Sequence, residues 1–292
     1  MTTTLRPDGP EEALPHGGRT RRYSVCANSR PVGGVRVTAQ VPAGTRADGR
    51  PQLPQGGIAE LEITEGRRRG RGTVAVLAAE EVLRGWGCAR VDVDVPEECP
   101  EALRLMLALG YRERTRNMVK HLVAEPPALP AGLRARRIGE AEFPEWSAAA
   151  EQGYAQDLLA SGLSEEQARA KSAADHRMLL PDGPHTRDTV LRRLVPEQPA
   201  DAEPLGGIWV QLRGHTLPDG EDLAWVFGVE VAEQARGRGH GRALMLLAER
   251  ECLAEGVHHL GLNVFADNAV AIGLYSSLGY RITRRRLGKP LL

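Results

Sequence analysis

Apolar positions change their spacing along the chain and so sort it into strands and helices. "GGVRVTAQV" from Gly33 and "GGIWVQLR" from Gly206 each open on a glycine pair and then alternate, as hairpin strands do. "LAWVFGVEV" (residues 223–231) is rich in β-branched and aromatic residues, which predicts a central strand. "RALMLLAERECLAEG" carries helix formers and stops at Gly256. "HLGLNVF" predicts a strand, and "NAVAIGLYSSLG" a second helix with Asn268 as its N-cap and Gly279 as its stop. "YRITRRRL" closes as a strand. Further upstream, "LRARRI" predicts a strand, and "EFPEWSAAAEQGYAQDLLASG" and "SEEQARAKSAADHRMLL" predict helices. Ser164 and Gln167 form a capping-box pattern at the start of the second.

The same pattern occurs twice. "RRRGRG" from Arg67 matches "RGRGHG" from Arg236 at an offset of 236 − 67 = 169. That offset also pairs Ala79-Glu80 with Ala248-Glu249, Gly87 with Gly256, Val95 with Val264, Leu105 with Leu274, and "LGYR" from Leu109 with "LGYR" from Leu278. The proline-rich "EPPALPAG" (residues 125–132) predicts a linker between the copies. The expected layout is a disordered polar lead-in over residues 1–20, a shortened first unit over 21–124, the linker, and a complete second unit over 133–292. The first unit has no counterpart to the two upstream helices.

Composition narrows the function. Lys plus Arg equals Asp plus Glu at 38 each, so no whole-protein charge favours nucleic acid or an anionic membrane. Aromatic residues, at 4%, are too sparse for extensive base stacking. No apolar run reaches spanning length, and residues 1–22 lack the apolar stretch of a signal peptide. Cys26, Cys88, Cys99 and Cys252 show no CxxC spacing, which predicts reduced thiols and a cytoplasmic location.

The chemistry concentrates in "QARGRGHGRAL", residues 234–244. Alternate glycines let a backbone turn tightly and approach a ligand. A helix start offers unpaired N–H donors and the positive end of the dipole. Together they predict an anion site suited to a diphosphate, with Arg236, Arg238 and Arg242 adding charge. A Walker loop is absent, and the spacing is GxGxG rather than the GxGxxG of a dinucleotide fingerprint.

Arg236-x-x-Gly239-x-Gly241 between a strand and a helix, followed by Asn268-x-x-Ala271-x-x-x-Tyr275-x-x-x-Gly279-Tyr280, resembles the GNAT superfamily of acyl-CoA-dependent N-acyltransferases. The resemblance covers about residues 133–292, and more weakly 21–122. The tandem layout resembles the mycothiol synthase branch, whereas the local wording of the second unit resembles single-domain bacterial members. The implied fold is α/β of the α+β type: two units, each a central mixed, mostly antiparallel sheet flanked by helices. The implied activity is transfer of an acetyl group from acetyl-CoA to a primary amine of a small molecule or peptide, by direct attack in a ternary complex. No metal, nucleic acid or membrane partner is implied, and the tandem units allow a monomer.

By resemblance, the pantetheine arm lies between two splayed strands, with a backbone N–H near Val229 or Val231 polarising the thioester carbonyl. Glu230 is the candidate base, directly or through water, set against an exposed strand-end charge. Tyr275 is the candidate acid for the departing thiolate, set against a packed aromatic. Gly237, Gly239, His240 and Gly241 form the phosphate loop, with His240 read as a spacer. Asn268 both caps its helix and faces the cofactor. Asn263 orients water or pantetheine, or points into the core. His176 and His185 flank a turn where acceptor specificity is set, or are structural. In the first unit Arg67, Gly70 and Gly72 keep the loop, but Cys99 and Met106 stand at the positions of Asn268 and Tyr275, which predicts a catalytically dead copy. The alternatives are a mycothiol-synthase-like acyltransferase, and a non-catalytic CoA sensor or RNA binder using "RRRGRGR".

Overall fold

A computed structural model describes residues 3–41, 53–66, 68–123, 125, 128–161, 163–199 and 202–291. Two compact units emerge. Unit 1 is Met1–Thr115 with Arg284–Leu292, and unit 2 is Arg116–Thr283.

Unit 1 begins with β1 (Thr3–Pro7), β2 (Glu12–Ala13), β3 (Arg19–Ala27), β4 (Arg30–Gln40) and β5 (Gln55–Ile63). Next come α1 (Arg71–Gly85), β6 (Arg90–Pro96), α2 (Pro100–Ala108) and the start of β7 (Arg112–His121). Unit 2 takes the rest of β7, then β8 (Leu133–Arg137), α3 (Phe143–Ala160), α4 (Glu165–Leu179), β9 (Thr189–Pro196), β10 (Gly206–Thr216) and β11 (Asp222–Val231). It closes with α5 (His240–Ala254), β12 (His259–Phe265), α6 (Ala269–Ser277) and the first residues of β13 (Arg281–Pro290).

The sheet of unit 1 runs β1-β3-β4-β5-β6-β13, with β2 on β3; that of unit 2 runs β8-β9-β10-β11-β12-β7. Parallel pairing joins β5 to β6 and β11 to β12, and hairpin-type antiparallel pairing joins their neighbours. The fold is therefore the mixed, mostly antiparallel sheet with flanking helices that the sequence implies.

One expectation is corrected. Residues 3–7 are not a disordered lead-in: β1 pairs with β3 from Thr3↔Ala27 to Pro7↔Tyr23. Pairs β1–β3 and β8–β9 occupy matching places, so the first copy starts before residue 21; the short β2 stretch stands where unit 2 inserts α3 and α4. The expected division at 125–132 also differs from the one found. The division lies inside β7, because compactness follows where a strand pairs rather than where proline punctuates the chain. Of the linker, Pro126 and Pro127 fall outside the described residues.

Each sheet packs one face on its long helix. Ala75, Val76, Ala79 and Leu83 of α1 meet Val35, Val37, Val91 and Val93; Leu244, Met245, Ala248 and Cys252 of α5 meet Ile208, Val210, Leu260 and Leu262. The last strand of each repeat finishes the core of the unit built mainly by the other. Leu287 and Leu291 are buried in unit 1, and their counterparts at the 169 offset, Met118 and Leu122, are buried in unit 2. The pair of buried glutamates follows the same rule. Lys289 bonds Glu80 at 3.0 Å, and Lys120 bonds Glu249 at 2.7 Å. Each lysine also lies over a tyrosine ring, Tyr111 or Tyr280.

The glycine pairs have a steric reason. A Cβ on Gly206 would stand 2.2 Å from the Glu230 carbonyl oxygen, and one on Gly33 would stand 2.0 Å from that of Glu62. Only glycine lets these strands approach so closely.

Candidate functional site

In unit 2, β11 and β12 pair only at Ala224↔Leu260, Trp225↔Gly261 and Val226↔Leu262. Beyond that point they part. The cause sits on the other edge of β11, where Trp209 faces Gly228 but Val210 faces Val226, leaving Phe227 as an extra residue. Such a bulge bends its strand and raises its twist. The facing backbone edges of residues 227–231 and 263–265 are then free to pair with an extended ligand, as any open strand edge is.

The glycine loop lies just past the end of β11. A single 3-10 turn, Glu233–Ala235, leads to Arg236 in extended conformation. Gly237 and Gly239 adopt φ of 74° and 83°, which side chains resist, and Gly239 is the N-cap of α5 without any side-chain cap. Among the described residues, no acceptor bonds the N–H groups of Gly237 through Arg242; Ala243 N–H is the first to find one, at Gly239. Six consecutive free donors at the positive end of a 15-residue helix form an anion cradle. Two side chains hold the loop: Arg236 Nε donates to the Val231 carbonyl at 3.3 Å, and His240 Nδ1 lies 2.9 Å from the Ala235 carbonyl. Arg238 is exposed. Arg242 reaches across to Ser277 on α6, which ties the two helices together.

Asn268 caps α6, its Oδ1 accepting from Ala271 N–H at 3.0 Å. Asn263 donates to Asn117 Oδ1 at 2.6 Å, so β12 fixes it against β7. Tyr275 is buried, meets Tyr280 edge-on at 6.1 Å, and its hydroxyl bonds to no described residue. Burial pushes its pKa up to about 12. It therefore stays protonated across the neutral range, and its hydroxyl is available as a hydrogen-bond donor. Glu230 is exposed and lies opposite Gly207, so no side chain covers it from β10. In the next strand Arg193 points to the space above Gly207 and is held by Glu142 at 3.1 Å.

The face of the sheet carrying α3 and α4 holds residues the sequence pattern did not reveal. Trp209 packs against Phe227 at 5.1 Å, His176 at 5.3 Å and Trp146 at 6.0 Å. His176 is buried with Nδ1 on the Ser172 carbonyl, so of the two candidate histidines it faces this aromatic cluster, while His185 is exposed beside Glu140. Asp157, on α3, keeps an exposed side, yet its pKa is raised, first by partial desolvation and then by the nearby charge of Asp267 just after β12. Among the described residues no group of three or more His, Cys, Asp or Glu side chains is placed to hold a metal ion. A hollow of about 630 Å³ lies against Leu247, Arg250 and Ala254, toward the far end of α5 from the loop.

The pattern that describes the Acetyltransferase (GNAT) family matches residues 164–280, the stretch holding the loop, the splay and α6. Over that stretch the second unit is similar to members of the GNAT acetyltransferase family. The members are acyltransferases, and so is this protein. The relative YdgE, an N-acetyltransferase of Bacillus subtilis, is 27% identical over 153 residues, which is 52% of this chain and 94% of that one. A mycothiol acetyltransferase of Corynebacterium urealyticum is 38% identical over 65 residues; the match spans 22% of this chain and only 19% of the relative. Among solved structures, a GNAT protein of Sphaerobacter thermophilus superposes with a TM-score of 0.58 at 20% identity, covering 92% of this chain and 80% of that one. A tandem GNAT protein from the clavulanic acid biosynthesis pathway gives 0.51 at 18% identity, covering 96% and 85%. These likenesses extend the fold over both units.

Proposed function

We propose that unit 2 transfers an acetyl group from acetyl-CoA to a primary amine of a small molecule or peptide, by direct attack within a ternary complex. The observation that carries this reading is the parting of β11 from β12 beside a helix start with six unclaimed N–H donors. The loop donors suit the two negative charges of a diphosphate. The open strand edges suit an amide-bearing arm that pairs as a short strand. Backbone donors around Val229 and Val231 then face a carbonyl carried on that arm.

Each side chain has a place in the scheme. Gly237, Gly239 and Gly241 let the backbone close on the phosphates, and Arg236 and Arg238 add charge at the rim. Tyr275 donates a hydrogen bond to the leaving sulfur. Glu230 accepts the amine proton through water, because its exposed carboxylate keeps a solvated path. Asn268 orients the start of α6, and Asn263 braces β12 at the edge of the splay.

Unit 1 serves as structure rather than as a second catalyst. Its α2 starts at Cys99 with no side-chain cap, and Met106 is buried where unit 2 has Tyr275. Arg67 of its loop lies outside the described residues.

Release of free CoA across a panel of amines tests the activity, and calorimetric titration with CoA gives the stoichiometry. Turnover with at least one amine and one CoA per chain are expected. Tight CoA binding without turnover of any amine would replace this reading with a CoA sensor. The partial match to mycothiol acetyltransferases is a reason to include a thiol-bearing amine on the panel.

A further inference from the structure

In both repeats the first residue of the long helix turns its side chain back onto the loop it has just left. His240 Nδ1 lies 2.9 Å from the Ala235 carbonyl. At the 169 offset stands Arg71, the first residue of α1, whose Nη1 donates to the Glu65 carbonyl at 2.6 Å. The preceding N-caps match as well: Gly70 and Gly239 have φ of 72° and 83°. Two chemically different side chains thus make one contact, N–H to a carbonyl five or six residues back. What the repeats share is the strap, not the side chain that makes it.

The strap matters because few other bonds close the turn. From Arg236 to Ala243 only two backbone N–H groups find a backbone acceptor, Arg236 at Glu233 (3.2 Å) and Ala243 at Gly239 (3.1 Å), and Arg236 Nε adds a longer bond to Val231 at 3.3 Å. Three glycines in the interval favour many conformations in the free loop. Without a tether, each binding event must order that loop, and affinity falls by the ordering cost.

We infer that His240 is a positioning residue for the diphosphate loop: it holds the turn that carries the six N–H donors in place before the ligand arrives. The inference deepens the acyl-CoA reading of this site and rests on it. His240 need not touch phosphate or carry charge to act in this way, since Nδ1–H donates in the neutral ring too.

The test compares His240→Ala, His240→Gln and His240→Arg in the full chain. The alanine variant is expected to raise KM for acetyl-CoA about tenfold while kcat stays within twofold, the pattern of lost binding rather than lost chemistry. Glutamine, an uncharged donor, and arginine, the residue of the other repeat, are both expected to bring KM back within about threefold. Amide exchange in the peptide holding Arg236 and Ala243, read by mass spectrometry without ligand, is expected to quicken in the alanine variant alone. A wild-type KM for the alanine variant, or recovery with arginine but not glutamine, would overturn the strap in favour of no role or of charge. If the wild-type protein fails to bind CoA while exchange still follows the expected order, the acyl-CoA reading falls and the strap stands.

Discussion

Lys289 places its ammonium 3.0 Å from each carboxylate oxygen of Glu80, a residue only 1% exposed. Tyr111 donates to the same carboxylate at 3.0 Å, and burial, then the carboxylate's charge, hold the phenol far above its usual range. Lys289 comes from the last strand of the chain and Glu80 from the first long helix, so residues 209 apart share one buried site. Removing one partner of a buried pair costs roughly 3–5 kcal/mol where the charge is left uncompensated; here Arg84, 3.7 Å from the same carboxylate, offsets part of that cost. Lys289→Met is expected to cost about 3 kcal/mol and to lower the melting midpoint by roughly 6–12 °C. Differential scanning calorimetry checks this. Ending the chain at Thr283 removes the strand that pairs from Arg284↔Pro96 to Pro290↔Arg90, and unit 1 is expected not to fold.

Tyr275→Phe keeps the ring in its core and removes only the hydroxyl. The expected result is a 10- to 100-fold fall in kcat with KM for acetyl-CoA unchanged. Because burial pushes the phenol up to about 12, the wild-type kcat is expected to show no alkaline limb from this group below about pH 11. A steady-state pH profile of both proteins measures it.

Gly239 and Gly256 provide a matched pair. Both have positive φ, and a Cβ on either would meet nothing within 4 Å, so alanine at either position adds strain alone. Each substitution is expected to cost about 1–2 kcal/mol of stability. Only Gly239→Ala is expected to raise KM for acetyl-CoA, since Gly256 ends α5 far from the loop. Denaturant melts and initial rates on the two variants separate strain from function.

Asp157 binds its proton more tightly in the folded protein, because partial desolvation and then Asp267 raise its pKa. The stability it contributes is fully present below the ordinary carboxylate range and is lost as pH rises through the raised pKa. Asp157→Asn is therefore expected to melt slightly higher than wild type at pH 7, the exposure of the side chain keeping the difference small, and level with it at about pH 2.5. Thermal melts at the two pH values decide it.

Local signals in the sequence carried most of the elements. The capping box of Ser164 and Gln167 forms with both bonds, and Asn268 caps α6. Glycines stop α5 and α6 because only they take the left-handed turn without strain. Pairing partners were harder to read. Leu5 is the one residue of β1 with a strongly apolar side chain, so an edge strand looked like a polar tail. The 169 offset also joins Lys120 to Lys289, Met118 to Leu287 and Leu122 to Leu291. These matches were available in the sequence, yet they say that the strands are alike, not which glutamate each lysine will meet. Choice of partner is a non-local decision. The loop and its glycines were legible for the same reason as the caps. The cluster around Trp209 and the approach of Asp157 to Asp267 were not, because each joins segments tens of residues apart.

The exchanged final strands bear on how such a chain can evolve. Deleting the first repeat would take Met118, Lys120 and Leu122 away from the surviving half and leave an unfinished sheet rather than a smaller protein. The first repeat, which has methionine and cysteine where the second has Tyr275 and Asn268, is therefore not dispensable: its last strand completes the core on which α5 rests.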